Sequence, residues 1–286
     1  MNKRGLKLWS INTDYYFYDA LRLYESGIFD YIELYAVANS LEHLQKWKIM
    51  KKNHNIPFII HCPHFAHGFN LAKAEKSESN LKIYNEVKQF ADELDAQFII
   101  FHGGIDGNIE ETAKQLASFN ENRALIENKP YVALPNRMGG EYCRGYSTDE
   151  IKLVKDTANC GFCFDFGHAI CAANSLFNIE KYNIATDLEK FNPKFAAIEA
   201  ERIEYLYNYL KIFLPLKPDM YHLTDVKFIK SVYDSHPHLG TGELDFKRIF
   251  DMVDDNKCIT FETNKNSKEN LDDFIEDMKW LQMNLS

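Results

Sequence analysis

No stretch of this 286-residue chain is apolar for long enough to cross a membrane or to form the core of a secretory leader. Blocks of consecutive like charge are also missing, and the net charge of −9 comes with no visible basic patch. Extended binding to a phosphate backbone draws much of its affinity from such a patch, so nucleic acid is a disfavoured partner. Glycine-rich phosphate fingerprints of the dinucleotide or P-loop type do not follow the first apolar run, which weighs against an open, doubly wound sheet. No repeat, linker or low-complexity segment interrupts the chain, so one domain is expected over 1–286. Cysteine is sparse: Cys62, Cys143, Cys160, Cys163, Cys171 and Cys258 sit mostly in or beside apolar runs. That is the usage of reduced, buried thiols and points to a cytoplasmic protein rather than a disulfide framework. Cys160 and Cys163 form a C-x-x-C, but along a strand they face opposite ways, which favours packing over metal binding.

What is present is an alternation of short apolar runs and amphipathic ones. Apolar residues make up 45% and aromatics 14%, enough for a large core. Strands are expected near 6–10, 30–36, 57–61, 97–102, 124–128, 161–166, 219–224 and 258–263. Helices are expected near 39–54, 77–95, 108–121, 147–158, 193–214, 245–255 and 268–283. Ser77-Glu78-Ser79-Asn80 and Ser147-Thr148-Asp149-Glu150 offer N-cap chemistry at two of their starts. Eight strands alternating with helices predict a closed α/β barrel, a single (β/α)8 TIM barrel, in a chain of the usual size for one. Two stretches exceed a minimal barrel: 134–146 after the fifth strand, and 170–218 after the sixth with an extra helical piece around 183–191. Loops on that side of a barrel carry substrate contacts.

The strand-like runs share a peculiarity at their C-terminal ends. They close on Glu33, His61 and His64, His102, Glu127, Asp165 and His168, His222 and Asp225, and Glu262. Runs of this kind are buried on both faces, so an ionisable residue at the end is not there for packing. In a parallel barrel all C-terminal ends open onto one face, where active sites sit. Asp234, His236 and His238 add donors in a tight glycine-rich loop. Converging imidazole and carboxylate groups are what a zinc or manganese ion requires. Leaving so many buried ionisable groups without a partner would cost several kcal/mol each. A lone histidine on or after a helix, such as His43 or His54, reads instead as an ordinary hydrogen-bonded residue.

These residues together resemble the xylose-isomerase-like TIM-barrel superfamily, which joins sugar isomerases and epimerases with the endonuclease IV class of DNA-repair enzymes. His61-Cys-Pro-His64 followed by Asn70-Leu71-Ala72 is similar to that family's H-A-P-Y…N-L-A. His102-Gly-Gly, Glu127-Asn128, Asp165…His168, His222-Leu-Thr-Asp225, Asp234-x-His236…Gly240-x-Gly242 and Phe261-Glu262-Thr263 follow in the family's order. The resemblance implies a divalent-metal centre of one to three ions held by His61, His102, Glu127, Asp165, His168, His222, Asp234, His236 and Glu262. One-metal epimerases of the superfamily use the equivalents of Glu127, Asp165, His222 and Glu262 alone. Glu33, His64, His67, Asn128, Asp225 and His238 are expected to touch the substrate or to hold a ligand in place.

Two chemistries fit. In one, Glu127 and Glu262 exchange a proton with a carbon of a small sugar, polyol or sugar phosphate, giving isomerisation or epimerisation. In the other, a multi-zinc cluster hydrolyses a phosphodiester, as in abasic-site endonucleases. The complete nine-ligand set favours the second. The acidic charge, the opening "LKLWSINTD" in place of a G-x-H-x-S type strand, and the "GTGELDF" ending favour the first. The expected partner is therefore a carbohydrate-like small molecule, with DNA as the alternative; no membrane is involved, and an oligomer is compatible with the sequence.

Overall fold

The computed structural model describes residues 2–133, 142–184 and 200–285. Eight parallel strands close into a barrel in chain order: β1 Lys3–Trp9, β2 Tyr31–Tyr35, β3 Phe58–His61, β4 Ile99–His102, β5 Ala124–Glu127, β6 Gly161–Asp165, β7 Met220–Leu223 and β8 Cys258–Phe261. The first and last strands pair directly, Leu6 against Phe261. Each strand matches the expected run to within about three residues at either end. In strands β2 to β8 nearly every side chain is buried, because helices cover the outside and side chains fill the inside.

Strand geometry sorts those side chains by parity. Ile32, Leu34, Ile60, Phe101, Ile126, Phe164 and Leu223 join the large core between barrel and helices. Their neighbours Tyr31, Ile59, Ile100, Leu125, Cys163, Met220 and Cys258 form a second cluster that plugs the inside. Gly5 makes room for this plug: a Cβ there would collide with the ring of Tyr31. Cys160 and Cys163 do part company as expected, Cys160 packing against the outer core and Cys163 within the plug.

The outer helices are Phe17–Glu25, Leu44–His54, Ser77–Glu93, Ile109–Phe119, Thr148–Ala158, Phe166–Tyr182, Ala200–Lys211, Phe246–Phe250 and Asp272–Leu285. Two departures from the sequence reading stand out. Phe17–Glu25 follows an uncapped Tyr16 in left-handed geometry, so no capping signal announces it. Phe166–Tyr182 occupies a stretch read as loop. It is buried on almost every side over Phe166–Asn178 and rich in small residues, so it lacks the polar face that gives a helix its period. Asp165 caps it, accepting from the His168 amide at 2.7 Å, which places His168 in the first helical turn rather than in a loop. Ser147 caps Thr148–Ala158 as expected, through the Glu150 amide. Ser77 does not cap its helix: a 3-10 turn at Ala74–Lys76 runs straight into it, and the Ser79 hydroxyl donates instead to the Lys76 carbonyl. Most of the extra helical piece expected around 183–191, and most of the 134–146 loop including Arg137, lie outside the described residues. Arg144, within them, donates to the Gly107 carbonyl and pairs with Glu150.

Asp225, expected to touch the substrate or to hold a ligand in place, organises a loop. Its carboxylate accepts from the amides of Val226 at 2.7 Å, Gly242 at 2.8 Å and Leu244 at 3.1 Å, and it is buried. Replacing it strands those donors, so Asp225→Ala should lower unfolding free energy by about 2–4 kcal/mol in denaturant titration. An unchanged midpoint would remove this role.

Candidate metal centre

Two residues above five of the plug residues, on the same inward face, stands an ionisable one that belongs to the expected ligand set. Ile59 precedes His61, Ile100 precedes His102, Leu125 precedes Glu127, Cys163 precedes Asp165, and Met220 precedes His222. The strand pairing sets them side by side: His102 is level with Glu127, and Asp165 with His222. Glu262 follows the last residue of β8.

Glu127 is the hub. Its Oε2 accepts from His61 Nε2 at 3.2 Å and His102 Nε2 at 2.8 Å, and its Oε1 lies 2.9 Å from His168 Nδ1. On the far side, His168 Nε2 is 3.1 Å from Asp234 Oδ2, and Asp234 holds His236 Nε2 at 2.8 Å. His222 Nδ1 sits among three carboxylates, 2.8 Å from Glu262, 3.6 Å from Glu127 and 3.9 Å from Asp165. Donor atoms of three buried groups fall within 4.8 Å of one another: Glu33, His61, His222 and Glu262; His61, His102 and Glu127; and Glu127, Asp165 and His168. Asp234 and His236 stand outside these tight groups; Asp234 reaches them through His168, and His236 Nδ1 lies 3.8 Å from Glu262. Glu33, expected only to support a ligand or the substrate, falls within the first.

Glu33 does support a ligand as well. Its Oε2 accepts from His222 Nε2 at 2.8 Å and from the Thr260 hydroxyl at 2.6 Å. That contact leaves His222 Nδ1 turned toward the carboxylates. Asn128 has a comparable duty: its amide both donates to the Asp165 carbonyl and accepts from the Asp165 amide, each at 2.8 Å, clamping β5 to β6.

Burial opposes charge throughout the centre, and the neighbours decide the outcome. Burial pushes Glu127 up, but Lys129 and His102 outweigh it and hold the carboxyl well below its usual range. Glu262 behaves likewise under Lys7 and His222. Asp165 is lifted to about 6 by burial and the acids around it, against the pull of His168. Burial lowers His61 and His102, with Lys7 and Lys129 adding to the effect. For His168 burial loses to Asp165, and the imidazole rises to about 10.

The donors could hold a metal, and they do not fully satisfy one another. Glu127 Oε1, His222 Nδ1 and His236 Nδ1 are buried within ion-pair distance of neighbours yet make no well-aligned hydrogen bond, and His102 Nδ1 and Glu33 Oε1 make none either. Buried donors and acceptors are otherwise nearly always satisfied. Several of the residues that carry these atoms belong to the groups that could hold a metal ion.

The centre forms one wall of a cavity of about 380 Å³ at the C-terminal mouth of the barrel. His61, His64, His102, Glu127, His168, His236 and Glu262 line it among the expected residues. His64 is neutral there, pushed down to about 3 by burial and by Lys129 and other cations nearby. His67 contacts Tyr35 and the edge of Trp9 beside it. His238 is turned away, bonded to Asp277 and Asn266. Sequence reading missed Lys7, Lys129 and Lys265, and the stacked pair Trp9 and Tyr35, all on the cavity wall. Lys7 bridges Glu33 and Glu262, while Lys129 lies 3.6 Å from Glu127. Strand parity was the available signal, since Lys7 shares the inward face of β1 with Gly5 and Trp9. His43 and His54 are where ordinary histidines belong, bonded to Thr13 and Glu25.

A family model described as xylose isomerase-like TIM barrel matches residues 21–283. The chain belongs to that family. No curated protein matches the sequence. Among solved structures, a D-tagatose 3-epimerase-like protein superposes with a TM-score of 0.66 at 16% identity, over 98% of this chain and 96% of that one. A Thermus thermophilus protein soaked with ZnCl2 gives 0.64 at 19% identity, over 98% and 97%. Endonuclease IV from the same organism gives 0.62 at 16%, over 98% and 99%. At such identities the likeness is one of fold.

Two outcomes are expected. Metal removal by a chelator should lower the melting temperature, with zinc or manganese restoring it. Because His168 stays protonated up to about 10 without metal, uptake must expel protons, so affinity should rise with pH through neutrality. Chelator-insensitive melting with no metal in the purified protein would remove the centre. Separately, Glu33→Gln should weaken metal binding by about 10- to 100-fold with the fold intact, as measured by competition with a chromogenic chelator.

Proposed function

We propose that this chain is a divalent-metal-dependent enzyme that isomerises or epimerises a small sugar, polyol or sugar phosphate by carboxylate-mediated proton transfer. The observation that carries this reading is the small cavity with ionised Glu127 and Glu262 on its wall. Its volume of about 380 Å³ is in the range of small-molecule sites. Zinc or manganese suits the mixed donors, and a bound ion would polarise the carbonyl and hydroxyl oxygens of the substrate.

The chain's own residues divide the remaining work. Lys7 and His222 hold Glu262 Oε1, while Oε2 has His236 Nδ1 at 3.8 Å as a looser neighbour. Glu262 Oε2 is therefore the oxygen available to take a proton from a substrate carbon. Glu127 is more deeply buried and gripped by three imidazoles, so it orients the centre and acts as the opposing carboxylate. Trp9 stacked on Tyr35 offers an apolar wall to the C–H face of a carbohydrate.

A carbon-bound hydrogen must exchange with solvent or between positions in such a reaction. Metal-loaded protein incubated with sugars and sugar phosphates in heavy water should place deuterium beside a carbonyl, as read by NMR. Glu262→Gln and Glu127→Gln should each slow that uptake by about 100- to 10,000-fold. Near-normal uptake in either variant would take that residue out of the mechanism.

A second reading, multi-zinc phosphodiester hydrolysis, is favoured by one observation: Asp234 and His236 extend the centre beyond the four-ligand set. Incision of abasic duplex DNA at physiological salt is expected to be negligible, because the acidic sequence shows no run of Lys and Arg to neutralise phosphates and release their counterions. Efficient metal-dependent incision would select hydrolysis instead.

A further inference from the structure

The cations on the cavity wall are not equivalent. Lys7 is neutralised by Glu33 and Glu262, and Lys129 faces Glu127. Lys265, on the loop after β8, lines the same cavity but has no carboxylate within ion-pair distance among the described residues. Its ammonium donates to the carbonyl of Thr263, its near neighbour in sequence, at 3.2 Å. Burial and Lys7 push it down to about 8 despite the proximity of Glu262, the behaviour of a cation missing its counter-charge.

The surroundings are fixed and polar. The Tyr16 hydroxyl donates to the Ser267 carbonyl, joining the loop after β1 to the loop that carries Lys265. On the β1 side Asn12, also on the cavity wall, accepts from the Trp9 amide through Oδ1 at 2.7 Å, and its Nδ2 makes no protein hydrogen bond among the described residues. Lys265 and Asn12 thus line one cavity from the loops that follow β8 and β1, two strands that pair directly. Loops after the last strands of a barrel are a common place for phosphate recognition.

We propose that Lys265, assisted by Asn12, forms an anion subsite, so that the substrate is a carbohydrate bearing a phosphate or carboxylate group. This rests on the proton-transfer reading above and narrows its substrate to anionic members. The anion would supply Lys265 with the counter-charge the protein withholds, and would fix which carbon faces Glu262.

The test titrates inorganic phosphate and acetate separately into metal-loaded protein by calorimetry, comparing wild type with Lys265→Gln and Lys265→Arg. Lys265 is on a loop, and circular dichroism checks that the variants keep the fold. Lys265→Gln should weaken binding by about tenfold or more, and Lys265→Arg should restore most of it, since the charge is what matters. Loss confined to phosphate assigns a phosphate ester; loss confined to acetate assigns a carboxylate. Equal affinity in wild type and Lys265→Gln means that the anion sits on metal alone, and together with absence of binding it overturns the subsite. Because the readout is binding, this outcome is independent of whether deuterium exchange is found.

Discussion

Parity is the constraint on which this structure rests. Along each strand a side chain points inward at every second position, so an inward apolar residue fixes the inward residue two places on. Ile59, Ile100, Leu125, Cys163 and Met220 seal the inside of the barrel, and His61, His102, Glu127, Asp165 and His222 stand directly above them. A slip of one residue in any strand would drive an ionisable group into the outer core and an apolar one into the cavity. Packing of the plug and geometry of the centre are therefore one specification.

The electrostatics follow from that stacking. Carboxylates and imidazoles forced onto adjacent strand ends, in a region closed to solvent below, must partner one another or something brought in. Glu127 is gripped by His61, His102 and His168, and Lys7 is held between Glu33 and Glu262. The same crowding leaves several donor atoms misaligned. An arrangement of this kind leaves buried polar atoms unsatisfied, and a cation placed among them could satisfy them.

Strand positions were legible because doubly buried strands give compact apolar runs, and most of the centre was legible because every run after the first ended on an ionisable residue. Other features left no such trace. Phe166–Tyr182 is buried on nearly all sides, so the amphipathic period that reveals a surface helix is absent. Lys7 lies mid-strand rather than at a strand end, and a lone lysine between leucines reads as a solvent contact until the barrel closes around it. His238 and Asp225 sit within the right motifs yet turn to Asp277 and to backbone amides, because side-chain direction in an irregular loop is set by hydrogen bonding that no periodicity encodes. Ser77 illustrates the reverse: the capping chemistry is present, but the preceding 3-10 turn has already begun the helix.

The seam between β1 and β8 has a consequence for how the protein comes into being. Lys7 meets Glu262, Tyr31 meets Thr260, and Tyr16 meets Ser267, in each case across more than two hundred residues of chain. During synthesis from the N-terminus, His61, His102 and Glu127 emerge long before the carboxylate that faces them. The plug also stays open on one side until Cys258 arrives. Contacts so distant in sequence form late and close large loops. The centre can therefore be complete only once β8 has joined β1, so that its assembly requires closure of the barrel.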